Sequence, residues 1–143
     1  MAGATLRVLF CIGVNPAFFD AGADERQDAF ETIKTAFDNL HERFGLRVLG
    51  TMDDDQTMVG SSSTWPWTCY ILADAPDLEA VAGVCNLLRA TSLASGAMLW
   101  KYLKIEARVG REWTPPPPCA TAPEAEADDE QARMPELAGG EKR

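Results

Sequence analysis

The chain has 143 residues, 46% hydrophobic and 8% aromatic, and carries 13 Lys+Arg against 22 Asp+Glu for a formal charge of −9. That length accommodates one domain, no apolar run approaches the roughly 18 residues of a membrane span, and an acidic surface repels phosphate backbones, so nucleic acid is excluded as an expected partner. The apolar stretch from Val8 to Val14 lacks a small-residue cleavage site, which predicts a soluble cytoplasmic chain without a targeting segment.

Leu6 to Val14 is short, rich in β-branched and aromatic residues and closed by Asn15-Pro16, the pattern of a buried first strand. The period then changes. Ala29, Phe30, Ile33, Ala36, Phe37, Leu40 and Phe44 recur at three- and four-residue steps, predicting one helix of about five turns with an apolar stripe. Asp24 and Gln27 have capping-box spacing at its start, and Gly45 stands where a left-handed residue would end it. Leu46 to Met52 reads as a second strand, Asp53-Asp54-Asp55-Gln56 as a turn, and Thr57 to Val59 as a brief returning segment. Trp67 to Ala73 is a further strand, placed after Pro66. Asp77 opens a second helix whose Leu78, Val81, Ala82, Cys85 and Leu88 share one face. Met98 to Val109 reads as a long alternating strand, with Trp100, Tyr102, Lys104, Glu106 and Arg108 on one side.

After Trp113 the composition shifts to Pro115-Pro116-Pro117-Pro118 and the acidic run from Glu124 to Glu130. With 7 acidic and 3 basic residues and few large apolar ones, 114–143 is expected to be a disordered acidic Pro-rich tail, leaving 1–113 as the folded domain. Cys11, Cys69, Cys85 and Cys119 form no C-x-x-C pair, so neither zinc nor a redox motif is indicated, and the first three read as small core residues.

The order β-α-β-β-α-β is the ferredoxin-like arrangement, an α+β fold with one antiparallel sheet and two helices on a single face. The other face would expose Trp100 and Tyr102. That much aromatic surface predicts a homodimer with sheets packed face to face.

Element order, strand lengths and the aromatic last strand resemble the dimeric α/β-barrel superfamily over about residues 4–110. Leu9 to Pro16 and Trp65-Pro-Trp-Thr-Cys-Tyr70 also resemble small bacterial proteins of aromatic-compound metabolism, including indole-acetate breakdown. The superfamily implies paired protomers and covers cofactor-independent monooxygenases of aromatic polyketides, haem-degrading enzymes, small-molecule cyclases and isomerases, chlorite dismutase-like haem enzymes and members without known activity. Haem-degrading members carry a histidine on the second helix, where residues 77–90 of this chain have none. The cofactor-free monooxygenases line an apolar pocket with Asn, Trp, Tyr and Arg. That likeness implies such tasks for Asn15, Trp65 or Trp67, Tyr70 and Arg108.

The residues give candidates of their own. Trp65, Trp67, Tyr70, Trp100 and Tyr102 concentrate flat surfaces with polar tips, which suits either an aromatic ligand or a dimer core. Asp53, closest to the strand end of the acidic turn, is a candidate base, although a solvated turn explains the run as well. His41, the single histidine, is a candidate proton shuttle or an ordinary residue near a helix C-terminus. Arg108 could hold an oxygen anion or pair with Glu106. No glycine pattern for nucleotides and no hydrolase triad is present. The expected function is a cofactor-independent, metal-free enzyme that oxygenates, isomerises or cyclises an aromatic small molecule. Its catalytic candidates are His41, Asp53, Tyr70 and Arg108, and its substrate-binding candidates are Asn15, Trp65, Trp67, Trp100 and Tyr102. The competing expectation is a non-catalytic dimeric accessory protein of an aromatic pathway that makes contact through its tail.

Overall fold

The computed structural model describes residues 5–61 and 64–113. The fold lies in the unit Met1–Glu112, and the expected tail, 114–143, is outside the described residues. Strand β1 (Leu6–Val14) leads into helix α1 (Pro16–Asp20), helix α2 (Ala23–Ala36) and helix α3 (Leu40–Phe44). Strand β2 (Arg47–Asp53), strand β3 (Cys69–Ala75), helix α4 (Leu78–Ala90), a 3₁₀ turn (Leu99–Lys101) and strand β4 (Leu103–Gly110) follow.

All pairings are antiparallel, and the strands run β2-β3-β1-β4 across the sheet. This is the ferredoxin-like order, with the two central strands joined by no direct connection. The alternation of β1 decides its two faces. Val8, Phe10 and Ile12 join Ile71, Ala73 and Ala75 of β3 in the core beneath the helices, where Val84, Leu87 and Leu88 of α4 meet them. Arg7, Leu9, Cys11 and Gly13 point the other way, to the face the helices leave uncovered. Helix α4 starts as its sequence requires, with the Asp77 carboxylate accepting the Ala80 N–H at 2.8 Å.

The stripe from Ala29 to Phe44 is divided between two helices. Asn39 adopts φ 52°, in the left-handed region, and breaks the backbone ladder between α2 and α3. Arg43 then reaches back to donate to the Ala36 and Asp38 carbonyls at 2.7 and 3.0 Å, capping the end of α2. Phe30, part of the expected stripe, is exposed. Gly22, with extended backbone, caps α2, so the Asp24–Gln27 pair lies inside the helix and makes no capping box. Gly45 does end α3 as expected, at φ 71° with its N–H on the His41 carbonyl. Thr57 to Val59 is loop, not a returning strand.

Strand β2 is an exposed edge with a bulge at Leu49, between Val48 and Gly50, a common way to discourage edge pairing. The largest departure is at the last strand. Residues Leu99–Lys101 form a 3₁₀ turn, so the alternation extrapolated from Met98 begins only at Leu103. Tyr102 is consequently rotated into the core at 0% exposure, while Trp100 stands exposed on the turn. Neither lies on the open sheet face.

Tyr102 donates its hydroxyl hydrogen to Glu25 of α2, which also receives Lys101 at 3.2 Å. The Tyr102 bond and the Lys101 ammonium hold the Glu25 carboxyl below its ordinary range, and the same carboxylate pushes the Tyr102 phenol up. A lowered carboxyl contributes stability that is present above the ordinary glutamate range and lost as pH falls through the folded value; a raised phenol contributes stability lost as pH rises through its folded value. Replacing Tyr102 by Phe removes the phenol's contribution and reduces that of Glu25, which keeps its ion pair with Lys101. We expect Tyr102→Phe to lower the melting temperature by roughly 5 °C at neutral pH, the scale of one lost hydrogen bond in a small domain. A melting curve series from pH 3 to 11 should also show both the acid and the alkaline falls becoming shallower.

Candidate functional site

The segment from Thr64 to Thr68 crosses the uncovered face at one end of the sheet. Two backbone bonds hold it there: Thr68 N–H donates to the Ile12 carbonyl at 2.9 Å, and Asp54 N–H donates to the Thr68 carbonyl at 2.9 Å. The crossing is close because residue 13 is glycine. A Cβ on Gly13 would stand 2.4 Å from the Pro66 carbonyl oxygen and 2.6 Å from Lys104 Cε. The Lys104 stem therefore lies in the space a side chain would fill, and its ammonium sits 5.5 Å from the centre of the Trp67 ring, a cation–π arrangement.

Beside this strap the side chains form a chain of hydrogen bonds. Trp65 Nε1–H donates to the Tyr70 hydroxyl. Tyr70 in turn donates to Asp54 Oδ2 at 2.9 Å, with the Trp67 carbonyl 3.3 Å away. Burial is the main cause that raises the Tyr70 phenol, opposed by the Trp65 N–H and reinforced by Asp54. The phenol is thus a neutral donor at physiological pH and Asp54 the acceptor. No described donor bonds Asp54 Oδ1. A cavity of about 480 Å³ opens on this group, lined by Asp54, Met58, Val59, Trp65, Trp67 and Thr68 among others. Two indoles, two apolar side chains and one carboxylate are the elements of a site for a flat organic molecule.

The structure brings together Trp65, Trp67 and Tyr70, and it adds Asp54 in the position expected of Asp53. Strand parity explains the substitution. Asp53 pairs with Cys69 and lies on the helix side, whereas Asp54, one residue on, shares the open side with Tyr70. Closeness to the strand end was thus a poorer guide than the alternation of β2, whose phase is itself displaced by the Leu49 bulge.

The other candidates are elsewhere. His41 lies on α3, exposed, with Nδ1 3.2 Å from the Leu46 carbonyl; since a carbonyl only accepts, Nδ1 carries the hydrogen. It borders a cleft of about 440 Å³ with Phe37, Leu46, Val48 and Ile71, on the helix side of the sheet. Tyr70 and Ile71 are consecutive and point to opposite faces, so the sheet separates His41 from the Tyr70–Asp54 pair. Asn15 is engaged with backbone, donating Nδ2–H to the Trp100 and Lys101 carbonyls at 3.1 and 3.4 Å. Trp100 and Tyr102 do not line the cavity. Arg108 pairs with Glu106 on its own strand at 2.8 Å.

Cys11, 1% exposed, lies on the open face across from Tyr70 and Glu106, and burial pushes its thiol up despite Arg108 nearby. Cys69 and Cys85 pack half-buried against the core, their thiols likewise raised by burial, and all three cysteines are free. Among the described residues no group of three or more His, Cys, Asp and Glu is placed to hold a metal ion, and no helix is long and apolar enough to cross a membrane.

No family model and no curated protein matches the chain. A solved chlorite dismutase-like protein superposes with a TM-score of 0.43 at 22% identity, over 75% of this chain and 43% of that one. This chain spans less than half the length of that protein, and so loose a superposition carries no argument about its chemistry.

Because the strap is seated through Gly13, a methyl there should lift it without unfolding the sheet. Gly13→Ala is expected to keep the far-ultraviolet circular dichroism while shifting tryptophan emission to longer wavelength, as Trp67 loses its packing on Lys104. Unchanged emission would mean the close approach to Pro66 is not what positions the strap.

Proposed function

We propose that this protein is a small enzyme that binds an aromatic small molecule between the Trp65–Trp67 strap and the 54–59 loop and handles one of its protons through Asp54. The observation that carries this reading is the Trp65–Tyr70–Asp54 hydrogen-bond chain opening on an indole-lined cavity. Stacking on the indoles would supply affinity, and the carboxylate would set orientation by receiving an N–H or O–H of the ligand. Tyr70, a donor to Oδ2, fixes the carboxylate's rotamer and leaves Oδ1 for the ligand. A carboxylate held in this way can serve as the general base for a substrate whose anion is delocalised over a ring. Oxygenation, isomerisation and cyclisation of such substrates all begin with that proton. His41, on the other side of the sheet, has no part in the step.

The reading is tested by tryptophan-fluorescence titration of the whole chain with aromatic acids, phenols and amines, followed by turnover assays on whichever binds. Asp54→Asn and Tyr70→Phe are expected to lower turnover by about a hundredfold or more, the usual scale of a lost acid–base group. His41→Ala should leave it unchanged. Equal turnover in the Asp54 variant would end this assignment.

The open sheet face supports a homodimer. On it Arg7 pairs with Asp74 at 2.7 Å and Arg108 with Glu106 at 2.8 Å, and beside these pairs Leu9, Leu72 and Met52 form an apolar stripe. A second copy of the same face would cover that stripe. Sedimentation should give a dimer for the natural sequence and a monomer for Leu72→Arg, which places an unpaired cation in the middle of the stripe.

A further inference from the structure

We infer that the ligand of the strap cavity is a cation: an amine, charged at neutral pH, carried on an aromatic or apolar body. The inference rests on the reading of this cavity as an aromatic-binding site, and it is independent of the proton-transfer step. The first observation is the sign of the lining. The cavity presents one ionisable side chain, the Asp54 carboxylate, and no lysine, arginine or histidine lines it. The second is the state of that carboxylate. Its Oδ2 accepts from Tyr70, a neutral phenol, and Oδ1 has no hydrogen bond from any described residue. Among the described residues no lysine, arginine or histidine lies within ion-pair distance of this half-buried carboxylate.

The third observation is the kind of surface opposite. Trp65 and Trp67 line it, and the faces of indole rings attract positive charge and are indifferent or repulsive to anions. The ammonium nearest to them, Lys104, is held on Trp67, with its stem lying over Gly13, and is not among the groups lining the cavity. Asp53 and Asp55 flank Asp54 in the sequence, and all three carboxylates contribute to raising the nearby Cys69 thiol. A carboxylate whose Oδ1 has no described partner, in a cavity lined by two indoles, is a receptor for an ammonium group: the nitrogen meets Oδ1, and the adjoining methylenes and ring meet Trp65, Trp67, Met58 and Val59. An aromatic carboxylate of the same size would instead place its charge against Asp54.

The test uses the full-length natural protein and three probes with one ring and three charges: phenethylamine, 2-phenylethanol and phenylacetate. Binding is read by tryptophan-fluorescence quenching and by calorimetry. Phenethylamine is expected to bind about tenfold more tightly than phenylethanol, with phenylacetate weakest. Asp54→Asn, nearly isosteric, should bring the amine down to the level of the alcohol, and added salt should weaken the amine alone. Equal affinity for all three would overturn the charge inference and leave the aromatic site standing. Preference for phenylacetate would overturn it outright. Failure of all three to bind, with Trp65→Phe emission unaffected by any of them, would remove the aromatic site and this inference together.

Discussion

The close approach of the Pro66 carbonyl to Gly13 is the constraint on which the candidate site depends. A strap that crosses a sheet face must either stand off by the depth of a side chain or find a residue without one. At Gly13 it finds the latter, and the 2.4 Å that would separate a Cβ from the Pro66 oxygen measures how little clearance there is. Everything polar nearby follows from that seating. Thr68 can reach the Ile12 carbonyl, Trp65 is brought over Tyr70, and the Asp54 backbone is tied to Thr68. Glycine in a strand normally weakens it. Here β1 is central, paired on both sides, and the local loss is confined to a position where the ladder to Lys104 and the strap supply contacts from two directions.

The general frame was legible in the sequence because strand and helix periods differ. The Leu6–Val14 strand, the Asp77 cap and the Gly45 stop are each specified by a few adjacent residues, and each occurs where its local chemistry requires. What was not legible depends on side-chain contacts that apolar periodicity does not register. The stripe from Ala29 to Phe44 has a helical period throughout, yet it contains a left-handed Asn39, stabilised by Arg43 and Asp38 from outside the repeat. Periodicity cannot register such a break, since the apolar residues resume in phase on the far side. The segment from Met98 to Tyr102 alternates just as a strand does, but Glu25 of α2 draws the Tyr102 hydroxyl to the helix side. An alternating pattern is thus necessary for an exposed strand and insufficient to show one.

The site was half legible for a related reason. Composition located the aromatic strap, whose Trp65, Trp67 and Tyr70 are within six residues of one another. The acid that joins them is 16 residues from Tyr70, and choosing among three consecutive aspartates required knowing the phase of β2. That phase is set by the bulge at Leu49, where one residue more on β2 than on β3 exchanges the faces of everything after it. His41 was misplaced by the same blindness to faces: nothing in a linear sequence says that α3 and the strap lie on opposite sides of one sheet.

The distribution of charge over the open face separates the two roles proposed for it. Along the middle, opposite charges are neighbours, Arg7 with Asp74 and Arg108 with Glu106, and each satisfies the other without any external group. Surface pairs of this kind add little stability, but they remove the cost of bringing a second apolar stripe against them. At the end beneath the strap the arrangement differs. Lys104 is directed onto an indole and not onto a carboxylate, which leaves Asp54 with a neutral partner only. Had Lys104 reached Asp54 across Gly13, the pair would have closed the cavity electrostatically. Its diversion to Trp67 leaves Asp54 without a cation partner among the described residues, so the end of the face that holds the cavity differs from the part where opposite charges pair.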